Sequence, residues 1–238
     1  MRRTSSFGSM GPSSRGPAPD GRTPPAVLFD LDGTLIDSIE LLLSSTRHAF
    51  EGRTRAPTTE EWVRGIGTPL IDQLRQFADT EDDVAVLLHR YRRYQHEHHD
   101  RLTRCYDNVL TVVAQLVDRG HPLAIVTSKA TPIAHQSLTF VGLDRYFPVV
   151  VGYDDTTRHK PDPAPVVFAL ERLGVTADRA VFVGDSPHDV HAGNAAGVLT
   201  VAALWGPFDR ETLAPAKPNH FIGSLPELPD LLDRAFGA

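Results

Sequence analysis

Two carboxylates one residue apart, Asp30 and Asp32, close the apolar run Val27-Leu28-Phe29 and are followed at once by Gly33 and Thr34. At the C-terminal end of a buried parallel strand, such a pair is held close to the backbone, in the crevice where open α/β sheets bind ligands. One acid can attack an electrophile while its neighbour moves a proton. Taken alone, the same residues also read as a turn, because Asp and Gly are ordinary turn residues. The remainder of the chain favours chemistry on phosphate.

Three further clusters carry chemistry. Thr127-Ser128-Lys129 follows the apolar run Leu123-Ala124-Ile125-Val126 and leads into Thr131-Pro132, a helix start with Pro in the first turn. A hydroxyl and free backbone N–H groups at that point suit a phosphate oxygen, although a Thr after a strand is also an ordinary cap. His159-Lys160-Pro161 opens another helix. Lysine is scarce, with only Lys129, Lys160 and Lys217 among 24 basic residues. In a chain that otherwise uses Arg, Lys160 reads either as a point charge for an anion or as an exposed helix-start lysine. Finally, Gly184-Asp185-Ser186-Pro187-His188-Asp189 ends the run Val181-Phe182-Val183. Its two carboxylates suit a hard cation or the groups around one, and Asp189 also reads as an early-helix acid favoured by the macrodipole.

The elements that must position these clusters follow from hydrophobic periodicity. Apolar runs of strand length occur at 26–29, 123–126, 149–151, 180–183 and 198–203, with helical patterns at 132–140, 163–173 and 188–196 between the later ones. Strand and helix in alternation predict a doubly wound, Rossmann-like α/β core with a parallel sheet. Between Asp37 and Tyr106 no strand is expected. That stretch instead carries apolar residues at helical spacing: Ile39, Leu42, Leu43, Thr46 and Phe50, then Leu70, Leu74 and Phe77, then Val84, Leu87, Leu88 and Tyr91. It reads as a small α-helical cap, residues 38–105, inserted after the acidic loop and able to cover the site and exclude water. The core is then 26–37 with 106–238, including a helix over 109–119 stopped by Gly120. Residues 1–25, rich in Ser, Gly, Pro and Arg, read as a disordered leader.

Composition excludes several classes. A formal net charge of −6 in 238 residues argues against a broad nucleic-acid surface. Cys105 is the only cysteine, so no intrachain disulfide forms and a reducing, cytoplasmic setting fits. No apolar stretch approaches the length of a membrane span.

The ordered set of acid pair, hydroxyl, lysine and acid pair at the ends of four expected strands resembles the haloacid dehalogenase superfamily, over about residues 26–221. The resemblance implies Asp30 as a nucleophile that becomes an aspartyl-phosphate and Asp32 as general acid and base. It implies Thr127 and Lys160 as phosphate holders, and a Mg²⁺ site made by Asp30, the backbone carbonyl of Asp32, and Asp185. Asp189 and Ser186 support these groups, and Ser128 and Gly33 are candidate substrate contacts. An acid at Asp32 favours a phosphate ester over a halide, and no lysine occurs in the cap to form a Schiff base. The insertion point and the segment Arg64-Gly65-Ile66-Gly67-Thr68-Pro69-Leu70 resemble the phosphoglycolate phosphatase group and its pyrophosphatase relatives, with Arg64 as a candidate contact to an anionic substrate. One departure is Cys105-Tyr106-Asp107-Asn108-Val109, where relatives usually carry Tyr-Pro-Gly-Val. The expectation is a Mg²⁺-dependent phosphohydrolase of a small anionic phosphate, phosphoglycolate-like, acting as monomer or homodimer without nucleic acid or membrane. Pyrophosphatase, sugar-phosphate mutase and a silent binding module are the alternatives. His96, His98 and His99 read as part of a solvated helix end rather than a metal site, and Cys105 lacks a partner that would make it a nucleophile.

Overall fold

The structure is a computed structural model and describes residues 23–237. Strand β1 (Ala26–Phe29) leads through the acidic loop to a two-residue strand β2 (Ile36–Asp37) and then to four helices, α1 (Ile39–Ala49), α2 (Thr59–Arg64), α3 (Leu70–Arg75) and α4 (Glu81–His98). Strand β3 (Arg104–Cys105) returns the chain to α5 (Val109–Asp118), β4 (Leu123–Val126), α6 (Thr131–Phe140), β5 (Val149–Val151) and α7 (Ala164–Leu173). Next come β6 (Ala180–Gly184), α8 (Pro187–Ala196), β7 (Leu199–Ala203), α9 (Arg210–Leu213), β8 (His220–Ile222) and α10 (Leu228–Phe236).

Six of the strands form one parallel sheet in the order β5-β4-β1-β6-β7-β8. The order reverses at β1, so the crevice at a switch point falls where Asp30 and Asp32 emerge. Helices cover both faces of the sheet, which is why β1 is apolar throughout rather than alternating. Val27 and Phe29 join one buried cluster with α5, α6 and α10, while Ala26 and Leu28 join the other with α7 and α8. All four residues are fully buried. Burial of Phe29 alone is worth about 1.5–3 kcal/mol.

The helices between β2 and β3 have a core of their own. Phe50, Trp62, Leu74, Val84, Leu87 and Tyr91 pack together, with Phe50 edge-on to Trp62 at 6.3 Å and to Phe77 at 6.2 Å. The expectation of no strand before Tyr106 is corrected by β3, which pairs antiparallel with β2 at Ile36–Cys105 and Asp37–Arg104. Two residues are too few for periodicity to register, and the pairing is fixed by the fold bringing both cap connections side by side. The Asp-Asn departure is explained by Asn108, which adopts φ +65° at the start of α5. That left-handed position favours Gly, and Asn is among the few residues that tolerate it.

Of the expected leader, residues 1–22 lie outside the described residues. Its last three are tied to the core, with Arg179 donating to the Thr23 carbonyl at 2.5 Å and His121 Nδ1 donating to the Pro25 carbonyl at 2.8 Å. Burial and the nearby Arg119 hold His121 below its ordinary value, so it resists protonation in the folded state. The unfolded chain then binds more protons as pH falls through about 6.5, and stability falls with it. His121→Gln is expected to flatten the melting-temperature profile between about pH 7 and pH 5, as read by calorimetry.

Candidate active site

Asp30 lies at the mouth of β1, 4% exposed, and its backbone N–H donates to the Val183 carbonyl of β6 at 2.9 Å. The side chain of Lys160, 1% exposed, reaches in from the loop before α7 and donates to Asp30 Oδ1 at 2.8 Å and to Asp189 Oδ1 at 2.6 Å. Asp189 is fixed twice over. It is the third residue of α8, whose N-cap Ser186 accepts from its backbone N–H, and Asp189 Oδ2 takes both the Ser186 backbone N–H and hydroxyl. The capping reading and the lysine-support reading of Asp189 are therefore the same geometry.

Asp185, at the end of β6, is 1% exposed. Its Oδ1 accepts from Thr34 Oγ1 at 2.5 Å, whereas Oδ2 has no hydrogen-bond partner. Gly33 and Gly206 press against this carboxylate: a Cβ at Gly33 would lie 2.4 Å from Oδ2, and one at Gly206 2.5 Å from Asp185 Cβ. Gly33 also holds φ +87°, in the left-handed region. Trp205 donates to the Thr34 carbonyl at 2.9 Å, so the segment after β7 steadies the loop that holds Asp185. Gly33→Ala is expected to keep the fold but displace Asp185 and lower kcat by about 10²-fold, as steady-state assays would read.

Asp30, Asp185 and Asp189 form the one cluster of three potential metal-binding side chains among the described residues, their ligand atoms within 4.8 Å of one another. One lysine cannot balance three buried acids. Burial pushes Asp30 up to about 7, against the pull of Lys160 and with help from Asp189 and Asp32. Burial, Asp30 and Asp189 likewise raise Asp185 well above the usual carboxylate range. The same acids outweigh burial at Lys160 and raise it, keeping its charge. A buried, unpartnered Asp185 oxygen beside an under-neutralised Asp30 fits a divalent cation with oxygen ligands. Asp189 does not share that fit, because both of its oxygens are already committed.

Thr127, directly after β4, is 5% exposed and lines the same cavity as Asp30 and Asp32. Ser128 also lines it, but its hydroxyl donates to the Gly67 carbonyl of the cap at 2.6 Å. Arg64 ends α2, is exposed, and does not line the cavity. The cap contributes Trp62, Gln73, Tyr91, Arg92 and Gln95 to the walls instead. Sequence periodicity does not point to them: Tyr91 reads simply as an apolar cap position, Trp62 falls outside the periodic sets, and which side of α4 faces the core is set by tertiary packing. Lys129, to which the sequence alone assigns no role, pairs with Asp32. His99 is buried and hydrogen-bonded to Ser137 and Asp100 rather than part of a solvated end. Burial pushes the half-buried Cys105 thiol up, away from the reactive thiolate.

Residues 27–203 match the haloacid dehalogenase-like hydrolase family. The chain belongs to that family. This hydrolase is 40% identical over 204 residues to the "Putative pyrophosphatase PpaX" of Caldanaerobacter subterraneus subsp. tengcongensis, covering 85% of this chain and 92% of that protein. It is 36% identical to the pyrophosphatase PpaX of Halalkalibacterium halodurans, covering 87% and 95%. Among solved structures, a "predicted phosphoglycolate phosphatase" from Haemophilus somnus 129PT superposes with a TM-score of 0.81 at 26% identity, covering 88% of this hydrolase and 98% of that chain. No helix among the described residues of the hydrolase is long and apolar enough to cross a membrane.

Proposed function

We propose that this hydrolase is a Mg²⁺-dependent phosphohydrolase that transfers a phosphoryl group from a small anionic phosphate to Asp30 and then to water. The observation that carries the proposal is the joint placement of Asp30, Lys160 and the unpartnered Asp185 Oδ2 at one strand-end crevice. Asp30, Asp185 and the Asp32 backbone carbonyl would hold the ion, which supplies the positive charge that lets a carboxylate approach an anionic phosphoryl group.

The residues divide the work. An Asp30 oxygen bonds to phosphorus as the bond from phosphorus to the leaving oxygen breaks, and that oxygen keeps the electron pair and takes the proton of Asp32. Water then attacks phosphorus, its proton passes to the Asp32 carboxylate, and cleavage of the Asp30–phosphorus bond releases inorganic phosphate and restores Asp30. Lys160 and Thr127, with the backbone near Gly33 and Ser128, hold the outer phosphoryl oxygens where charge spreads in the transition state. The cap walls keep bulk water from competing.

A cavity of about 140 Å³ suits a small substrate. A phosphoglycolate-like monoester is the first reading, supported by the Haemophilus somnus structure. Pyrophosphate is the second, supported by the names of the two relatives that match over most of the chain. Phosphate release with Mg²⁺ from phosphoglycolate, pyrophosphate, hexose phosphates and nucleotides tests both. Selective turnover of one of the first two that stops with a chelator is the expected outcome, and no release from any substrate rejects the proposal.

A further inference from the structure

Each acid of the pair after β1 is held by its own lysine. Lys160 takes Asp30, and Lys129 Nζ donates to Asp32 Oδ1 at 2.7 Å. Only three lysines exist in the chain, so two of them serve this pair. The Lys129 side chain is 7% exposed, which sets the contact apart from loose surface ion pairs. Ser38 Oγ donates to the same Oδ1, while Asp32 Oδ2 has no hydrogen bond among the described residues. One oxygen of Asp32 is thus pinned by two donors, and the other is left for the cavity that Asp32 lines.

Lys129 is itself held from behind. Its Nζ lies 3.4 Å from Ser137 Oγ on α6, Ser137 Oγ lies 2.9 Å from His99 Nε2, and His99 Nδ1 lies 2.8 Å from Asp100 Oδ1. Ser137 is fully buried and His99 is 2% exposed, whereas the Asp100 side chain is in solvent. One set of protons satisfies every link: the ammonium donates to the Ser137 oxygen, the Ser137 hydroxyl donates to Nε2, and Nδ1–H donates to Asp100. A row of donors running one way reinforces each of its members. His99 follows α4 directly, so the row connects the end of the longest cap helix to Asp32 through a single core helix.

We infer that Lys129 is the positioning residue of Asp32, anchored through Ser137 and His99, and that it aims the free Oδ2 at the leaving oxygen. The inference rests on the phosphoryl-transfer reading above, in which that oxygen takes the Asp32 proton as its bond to phosphorus breaks. A poor leaving group such as an alkoxide needs that proton, and p-nitrophenolate hardly does. Loss of Lys129 therefore shows as a dependence on leaving group, which a merely structural role would not produce.

The test compares ethyl phosphate with p-nitrophenyl phosphate, both with Mg²⁺, for the full-length wild type, Lys129→Met, Lys129→Arg and Ser137→Ala. Lys129→Met is expected to lower kcat for ethyl phosphate at least about 10-fold more than for p-nitrophenyl phosphate, with KM changed less than about 2-fold. Lys129→Arg, which keeps the charge, recovers part of the difference. Ser137→Ala, a small change that keeps the core filled, shifts it in the same direction by about 3-fold. Equal losses on both substrates, or an effect confined to KM, would overturn the inference. A wild type that releases phosphate from neither of these nor from phosphoglycolate or pyrophosphate marks failure of the phosphoryl-transfer reading itself.

Discussion

Asp30→Asn is expected to abolish phosphate release, lowering kcat by at least about 10⁴-fold on every substrate the wild type accepts. An amide oxygen is a poor nucleophile, and no second group stands where Asp30 does, at the mouth of β1 with the Lys160 ammonium 2.8 Å away. Other acids nearby do not substitute. Asp189 is bound by Lys160 and Ser186 through both oxygens, and Asp185 is held by Thr34 and packed against Gly33 and Gly206. The variant is expected to fold, because Lys160 keeps its 2.6 Å pair with Asp189 and is not left as a lone buried charge. Purified Asp30→Asn with a wild-type circular dichroism spectrum and no activity is the outcome to look for. Residual turnover at a tenth of wild type would remove Asp30 as nucleophile.

Asp185→Asn separates stability from activity. Without a cation, burial and the neighbouring acids place Asp30 near 7 and Asp185 well above the carboxylate range, both higher than in the unfolded chain. For acids raised on folding, the native state binds more protons. Their cost is complete above the folded values and fades as pH falls toward about 4. The metal-free wild type is therefore expected to be penalised at pH 8, and Mg²⁺ held by these acids to relieve it. An excess of 100 times the dissociation constant adds about 2.7 kcal/mol, or about 5–10 °C in Tm for a chain of this size. In Asp185→Asn one of the repelling charges is gone. Its metal-free Tm at pH 8 is expected to equal or exceed that of the wild type, its Mg²⁺ response to vanish, and its kcat to fall about 10³-fold. A Mg²⁺-induced rise in Tm as large as that of the wild type would show that Asp185 does not hold the ion.

Much of the core was legible because its strands are buried on both faces. Runs such as Ala26–Phe29 and Leu123–Val126 are continuous and apolar, and punctuation by Gly, Pro and Ser marks their ends. What escaped were elements too short or too exposed to leave a pattern. Strand β8 has three residues led by the exposed His220, and β2 and β3 have two each. Asp30, Asp32, Thr127 and Asp185 could be proposed in advance because each lies within a few residues of a strand end, whereas Lys160, in the loop before α7 and well past β5, stood out only as one of three lysines. The cavity walls could not be, since they depend on which helical face the cap turns inward. Exposed Arg64 and the cavity-lining Arg92 are indistinguishable as sequence, both being arginines in amphipathic helices. Lys129 was hidden for another reason: its partners Asp32, Ser137 and, through Ser137, His99 come from three separate segments that only the tertiary fold assembles.

In the proposed reaction the phosphoryl group rests covalently on Asp30 before water releases it. Borohydride added during turnover reduces an acyl phosphate to an alcohol, so peptide mass spectrometry of the trapped protein reads the site directly. Homoserine at position 30, absent when substrate is omitted, is the expected result. An unmodified Asp30 in protein that is actively releasing phosphate would rule out a covalent step at this residue.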